Sequence, residues 1–122
     1  MIAVEHNPVQ TLNIEVVPDP RADVKIVKLS GPLTIHNFFE FQEITRQRPS
    51  PRLLLVDLSG VPYIDSAALG SFVGLHVSCE GSKRKYALVG ANDRLRTLFE
   101  LTHVKSFLVL YESMADAEAG LS

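Results

Sequence analysis

The sequence predicts an α/β domain: a mixed sheet of four to five strands with helices, in the order β-β-α-β-α-β-α-β-α. Three observations carry this prediction. Two short alternating segments joined by PDPRAD read as an antiparallel hairpin. The aliphatic run Leu53-Leu54-Leu55-Val56 suits a central strand covered on both faces. After it, helical and extended segments alternate, which implies parallel pairing through right-handed crossovers.

The elements follow in order. Residues 1–11 show no periodicity and contain Pro8, so they read as a loose lead-in to a single domain over 12–122. Leu12 to Val17 alternates apolar and polar residues until Pro18-Asp19-Pro20, a strand running into a turn. Val24 to Leu29 alternates again, with Lys25 and Lys28 assigned to its polar side. Ser30-Gly31-Pro32 breaks the pattern. A helix is then expected from about Ile35 to Arg48 on the stripe Ile35, Phe38, Phe39 and Gln42, with Phe41 and Ile44 on its flank. Pro49-Ser50-Pro51 ends it. Arg52 to Leu58 is the central strand, and Ser59 to Pro62 a turn.

From Asp65 the period becomes helical. Leu69, Phe72, Val73 and His76 form one stripe with Val77 beside it; Ala67, Ser71, Gly74 and Ser78 form a second stripe of small residues. Small side chains at that spacing predict close approach to the sheet or to another helix. Gly81 fits a helix stop. Tyr86 to Val89 is a short strand, and Asn92 an N-cap for a helix carrying Leu95, Leu98, Phe99 and Thr102. Phe107 to Leu110 is the last strand. Ser113 to Leu121 is a terminal helix, with Ser113 and Asp116 spaced as a cap pair.

Composition excludes several function classes. The 122 residues fit one domain. Twelve Lys and Arg against fourteen Asp and Glu give a net charge of -2, which exerts no long-range attraction on nucleic acid or an anionic membrane. Direct nucleic-acid binding and membrane insertion are therefore not expected. The single cysteine, Cys79, forms no internal disulfide. The opening MIAVEHNPVQ has neither a basic stretch nor an apolar run of signal-peptide length, so a cytoplasmic location is expected.

Catalytic signals are missing. His6, His36, His76 and His103 fall on different elements, and His76 with Cys79 has no further ligand nearby, so no metal and no cofactor is expected. No nucleophile elbow, phosphate loop or dinucleotide fingerprint is present. Gly81-Ser82-Lys83 follows a helix rather than a strand and lacks the upstream glycine of a phosphate loop. Lys83-Arg84-Lys85 reads as a solvated turn. A hydrolase built on Ser66 and His76 fails on distance, since ten helical residues span roughly 15 Å. His103 has no supporting motif. The chain reads as a binding module, not an enzyme.

The informative segment is Val56-Asp57-Leu58-Ser59-Gly60-Val61-Pro62-Tyr63-Ile64-Asp65-Ser66-Ala67-Ala68-Leu69-Gly70. It is a buried strand, a tight turn, and Asp-Ser entering a helix. Unpaired N–H groups and the helix dipole there favour an oxygen acceptor or an anion. Asp65 or Ser66 caps the helix on this reading. A phosphate on Ser66 would also sit at that helix start, changing the surface sharply while leaving the fold alone. Spacing does not choose between a cap and a phosphoacceptor.

This segment resembles the signature of STAS domains, and especially of the bacterial anti-sigma factor antagonists. Ser30-Gly31-Pro32-Leu33-Thr34 falls where that family has its loop after the second strand, and Ala87 to Gly90 with Arg94 to Thr102 resembles its late strand and helix. The resemblance implies a STAS-like fold and a partner-switching role. An unphosphorylated antagonist binds an anti-sigma factor that is also a GHKL-type serine kinase; the kinase phosphorylates the serine after the motif aspartate, here Ser66, and a serine phosphatase reverses the mark. Thr34, Asp65, Ser66, Ala67, Ala68 and Leu69 would then meet the partner, with Asp65 shaping the loop. Ala67 replaces the family's usual Ser or Thr, Ala68 a frequent glycine, and Thr34 a frequent aspartate. The same family also supplies fixed, non-phosphorylated subunits of stress-sensing or lipid-transport assemblies. In that alternative the small-residue stripe, Phe41 and Ile44 would face a permanent partner.

Overall fold

In a computed structural model, which describes residues 11–121, the alternating segments at the amino-terminal end pair as expected. Strand β1 (Asn13–Val17) runs antiparallel to β2 (Val24–Ser30), with Val16 opposite Val27. Their turn is held by Arg21, whose guanidinium makes two bonds of 2.9 Å to Asp19 and a 2.8 Å ion pair to Glu118 near the carboxyl end. Hydrogen bonds from Arg21 hold the Asp19 carboxyl at about 2. Of the expected lead-in, only Thr11 lies within the described residues.

The remaining elements are α1 (Phe38–Thr45), β3 (Leu53–Gly60), α2 (Ser66–Gly81), β4 (Lys85–Val89), α3 (Asp93–Leu101), β5 (Leu110–Tyr111) and α4 (Met114–Leu121). The predicted element order holds, and the sheet has five strands in the order β1-β2-β3-β4-β5. Every pairing after the hairpin is parallel. Because strand order advances steadily in one direction, right-handed crossovers place α1, α2 and α3 on one face. Phe41, Phe72, Leu75, Leu95 and Phe99 pack there against Val27, Leu29, Leu54, Val56 and Leu88. Helix α4 lies on the other face, where Ala117 meets Leu53, Leu55, Ala87 and Val89. Leu53 to Val56 therefore alternate between two cores and are all buried, which is why β3 is an unbroken aliphatic run.

The facing of side chains differs from the sequence reading in α1, α2 and β2. In α1 the fully buried residue is Phe41, with its ring 5.6 Å from that of Phe72, while Ile35 and Phe39 of the expected stripe are exposed. In α2 the core face is Ala68, Ser71, Phe72, Leu75 and Cys79; Leu69, Val73 and His76 lie on its margin. The small-residue stripe turns toward α1: Gln42 donates to the Ser71 hydroxyl at 3.4 Å, and Gly74 faces the Arg46 guanidinium. In β2, Lys25 and Lys28 differ by an odd number and point to opposite faces, Lys25 donating to the Ile44 carbonyl at 2.7 Å.

The last strand is shorter than expected and starts later. Phe107 and Leu108 donate to the Val104 carbonyl in a turn, and the Val109 N–H is taken by the Tyr86 hydroxyl at 3.1 Å. Pairing with β4 therefore begins at Leu110. The Tyr86 hydroxyl also shares a hydrogen bond with His76 Nδ1, 2.8 Å away. The other ring nitrogen, Nε2, faces Glu80 at 3.4 Å. Burial pushes the Tyr86 phenol up to about 12. Tyr86→Phe removes the hydroxyl that bonds the half-buried Val109 N–H and His76 Nδ1. It is expected to lower the unfolding free energy by about 1–3 kcal/mol in urea denaturation, with the slope unchanged.

Candidate functional site

The site lies at the carboxyl-terminal ends of β2, β3 and β4, where loops leave a parallel sheet and ligands commonly meet α/β domains. The strands bring three loops together. Gly31, just after β2, has φ +99 and donates to the Gly60 carbonyl at 2.9 Å; a Cβ there would collide with the Thr11 carbonyl oxygen, so this turn requires glycine. Leu33 bridges to Ile64 in parallel fashion. From the third loop, Asn92 accepts from the Leu95 N–H at 2.8 Å as the predicted cap, and its amide donates to the Val61 and Pro62 carbonyls.

Asp65 is the junction of these loops. Its Oδ1 accepts from the backbone N–H groups of Ala67 (3.0 Å) and Ala68 (3.1 Å), so Asp65, not Ser66, caps α2. Its Oδ2 accepts from the Ile35 N–H at 2.9 Å, thirty positions earlier in the chain. One carboxylate thus fixes the helix start and ties it to the loop between β2 and α1.

That tie explains why α1 starts three residues later than predicted. With the Ile35 N–H bonded to Asp65, the Thr34 hydroxyl accepts from His36 N–H (3.3 Å) and Asn37 Oδ1 accepts from Thr34 N–H (2.9 Å). Asn37 also donates to the Pro32 carbonyl. These local bonds compete with helix and hold residues 34–37 in a turn. The cap-type pair Thr34 and Asn37 just before the phenylalanines was the signal for the later start.

Ser66 occupies the first helical position and is exposed. Its hydroxyl makes no hydrogen bond among the described residues, because Asp65 already does the capping. Ala67 and Leu69 are half-buried beside it, and Thr34 is half-buried in the facing loop. Ala68 is different. It is 0% exposed and packs in the main core, so the partner contact expected of it is corrected to a packing role. Sequence reasoning missed the apolar surface next to this constellation: Ile35 is 60% and Phe39 67% exposed, and Phe39 stacks on Phe38 at 4.3 Å. His76 is bound to Tyr86 and Cys79 is buried.

The dual role of Asp65 makes separable predictions. Asp65→Ala loses the cap and the loop tie, and is expected to cost about 1–2 kcal/mol in chemical denaturation. Asp65→Asn keeps an oxygen for Ala67 and Ala68 but turns an NH2 group toward the Ile35 N–H, so its stability is expected to fall between wild type and Asp65→Ala. Faster hydrogen exchange at Ile35 in both variants checks the tie.

Comparison with known proteins agrees with this geometry. The family model described as STAS domain matches residues 13–117. An anti-sigma-B factor antagonist of Staphylococcus aureus (strain NCTC 8325 / PS 47) is 31% identical over 88 residues, covering 70% of this chain and 82% of its own. An anti-sigma factor antagonist from Mycobacterium paratuberculosis superposes with a TM-score of 0.79 at 20% identity, over 92% of this chain and 95% of its own. A sulfate transporter family protein from Wolinella succinogenes also superposes, with a TM-score of 0.70 at 21% identity, over 87% and 88% of the two chains. The fold is thus shared among proteins of different kinds and does not by itself name a function. By its matched segment, its strand order and its Asp65–Ser66 helix start, the chain belongs to the STAS domain family.

Proposed function

We propose that the chain is an anti-sigma factor antagonist in a partner-switching pathway. Unphosphorylated, it binds an anti-sigma factor that is also a GHKL-type serine kinase, through the surface around Ser66. The kinase phosphorylates Ser66 and breaks the complex, and a serine phosphatase restores it. Thr34, Asp65, Ala67 and Leu69 contribute to the contact, together with the exposed Ile35 and Phe39.

The observation that carries this reading is the division of labour at the start of α2. Asp65 supplies the cap, so the Ser66 hydroxyl is exposed and carries no bond among the described residues. A phosphate there adds about -1.5 to -2 charge without removing any hydrogen bond that the fold uses. The Staphylococcus aureus relative, named an anti-sigma-B factor antagonist, supports the choice of partner class. The features considered for a permanent partner are engaged inside the domain: Phe41 is fully buried, Ile44 packs on the core, and Ser71 and Gly74 face α1.

The test uses wild type, Ser66→Ala and Ser66→Asp as bait in source cells. Wild type and Ser66→Ala are expected to capture a serine kinase that Ser66→Asp loses by tenfold or more, with phosphate found on wild-type Ser66. All three baits should unfold at the same denaturant midpoint, because the cap is untouched. Equal capture by all three, with no phosphate on Ser66, sinks the switch and leaves a constitutive STAS subunit.

A further inference from the structure

A groove of about 230 Å³ runs between the loop preceding α2 and the outer side of α3. Tyr63 and Ile64 form one wall; Arg94, Leu98 and Leu101 form the other. Positions 94, 98 and 101 recur at i, i+4 and i+7, so they make one stripe along α3. The core stripe of that helix is Leu95 and Phe99, both buried. Leu101 lies off it and is 72% exposed. A single exposed leucine is ordinary on a protein surface. This one stands at the end of a groove whose other walls are also mostly apolar.

Arg94 gives the groove its chemical character. It is the charged side chain among the lining residues, and its guanidinium lies over the Tyr63 ring at 5.1 Å. It pairs with no carboxylate among the described residues. The other cations nearby are neutralised: Arg96 bonds Asp93 at 3.0 Å, and Lys105 bonds Glu100 at 2.8 Å. A cation with no carboxylate partner among the described residues, held against an aromatic face beside an apolar groove, is complementary to an apolar side chain flanked by a carboxylate.

We propose that this groove docks an acidic segment of a partner protein, seating a leucine-sized side chain against Ile64, Leu98 and Leu101 while an adjacent carboxylate pairs with Arg94. The sign of the charge selects the occupant, since a basic segment meets an uncompensated guanidinium. The proposal rests on the partner-binding reading above, because the groove wall at Ile64 is two residues from Ser66. It also gives that reading an electrostatic sense. Phosphate on Ser66 places negative charge beside a binding site for negative charge, and like charges oppose docking.

The test is an amide NMR titration of the full chain with three capped heptapeptides: leucine flanked by aspartates, leucine flanked by lysines, and glycine flanked by aspartates. The first peptide is expected to shift Ile64, Leu98 and Leu101 at millimolar concentration, with binding several-fold weaker at high salt. The other two leave these amides in place. Arg94→Glu, at an exposed position, should keep the wild-type spectrum elsewhere and invert the preference toward the lysine-flanked peptide. No groove shifts, or equal shifts with both leucine peptides, overturns the proposal. Shifts that follow protein concentration without peptide also overturn it, and mark a self-interface. In the kinase capture assay, wild-type capture by Arg94→Glu overturns the groove while leaving the Ser66 switch standing. Failure of the Ser66 variants to differ, with the peptide response intact, overturns the switch and leaves the groove.

Discussion

The arrangement of the functional end depends on one carboxylate. The Asp65 side chain accepts three backbone hydrogen bonds, two from the first turn of α2 and one from Ile35 in the loop after β2. Each of these donors would otherwise need water or another acceptor, since the first N–H groups of a helix have no partner within it. By using both oxygens, Asp65 makes the helix start and the facing loop a single unit. The late start of α1, the turn at residues 34–37 and the outward display of Ile35 follow from that tie rather than from local helix propensity. Ser66 stays exposed for the same reason: the residue before it has already done what a serine at a helix start commonly does.

The core explains how such a loop cluster can be held still. Three crossover helices on one face place Phe41, Phe72 and Phe99 in sequence, with edge-to-face contacts at 5.6 and 6.2 Å. Phe72 sits on the helix that begins at Ser66, so the helix bearing the site is also the central helix of the core. Its other half is fixed by the chain Val109–Tyr86–His76, which joins β4, α2 and the approach to β5. Packing at one end and capping at the other leave little freedom at the Asp65–Ser66 junction. A change of charge there alters what the surface presents while the underlying sheet stays as it is.

Much of this was legible in sequence where the signal is local or strongly periodic. The hairpin, the both-faces-buried run at Leu53, the Asn92 cap and the Ser113 cap all appear where the residue types place them. Helix phase was not legible. Helix α1 carries Phe38, Phe39, Phe41 and Ile44, and α2 carries Leu69, Phe72, Val73, Leu75 and Val77, so apolar residues satisfy two overlapping stripes in each. Only the partner surface decides which stripe is buried. The family resemblance put Ala68 on the contact edge, although its methyl group lies in the core. The Asp65–Ser66 pair was found from spacing, but their division of roles depends on a bond to Ile35 that no local pattern contains.

The distribution of hydrogen bonds around the helix start also bears on what a modification can do. Asp65 occupies the Ala67 and Ala68 donors through its side chain and the Leu69 donor through its carbonyl. The Ser66 N–H is left without a partner among the described residues. An anion attached to Ser66 therefore gains the helix dipole and at most that one donor, and it gains them next to the Asp65 carboxyl group. Ser66 is exposed, so the added charge lies at the surface. On the proposed reading, a partner packed on the exposed Ile35 and Phe39 would be lost because a hydrated dianion must be stripped of water to restore contact. On the proposed reading, the same geometry that spares the fold a phosphate on Ser66 would make a docked partner sensitive to it.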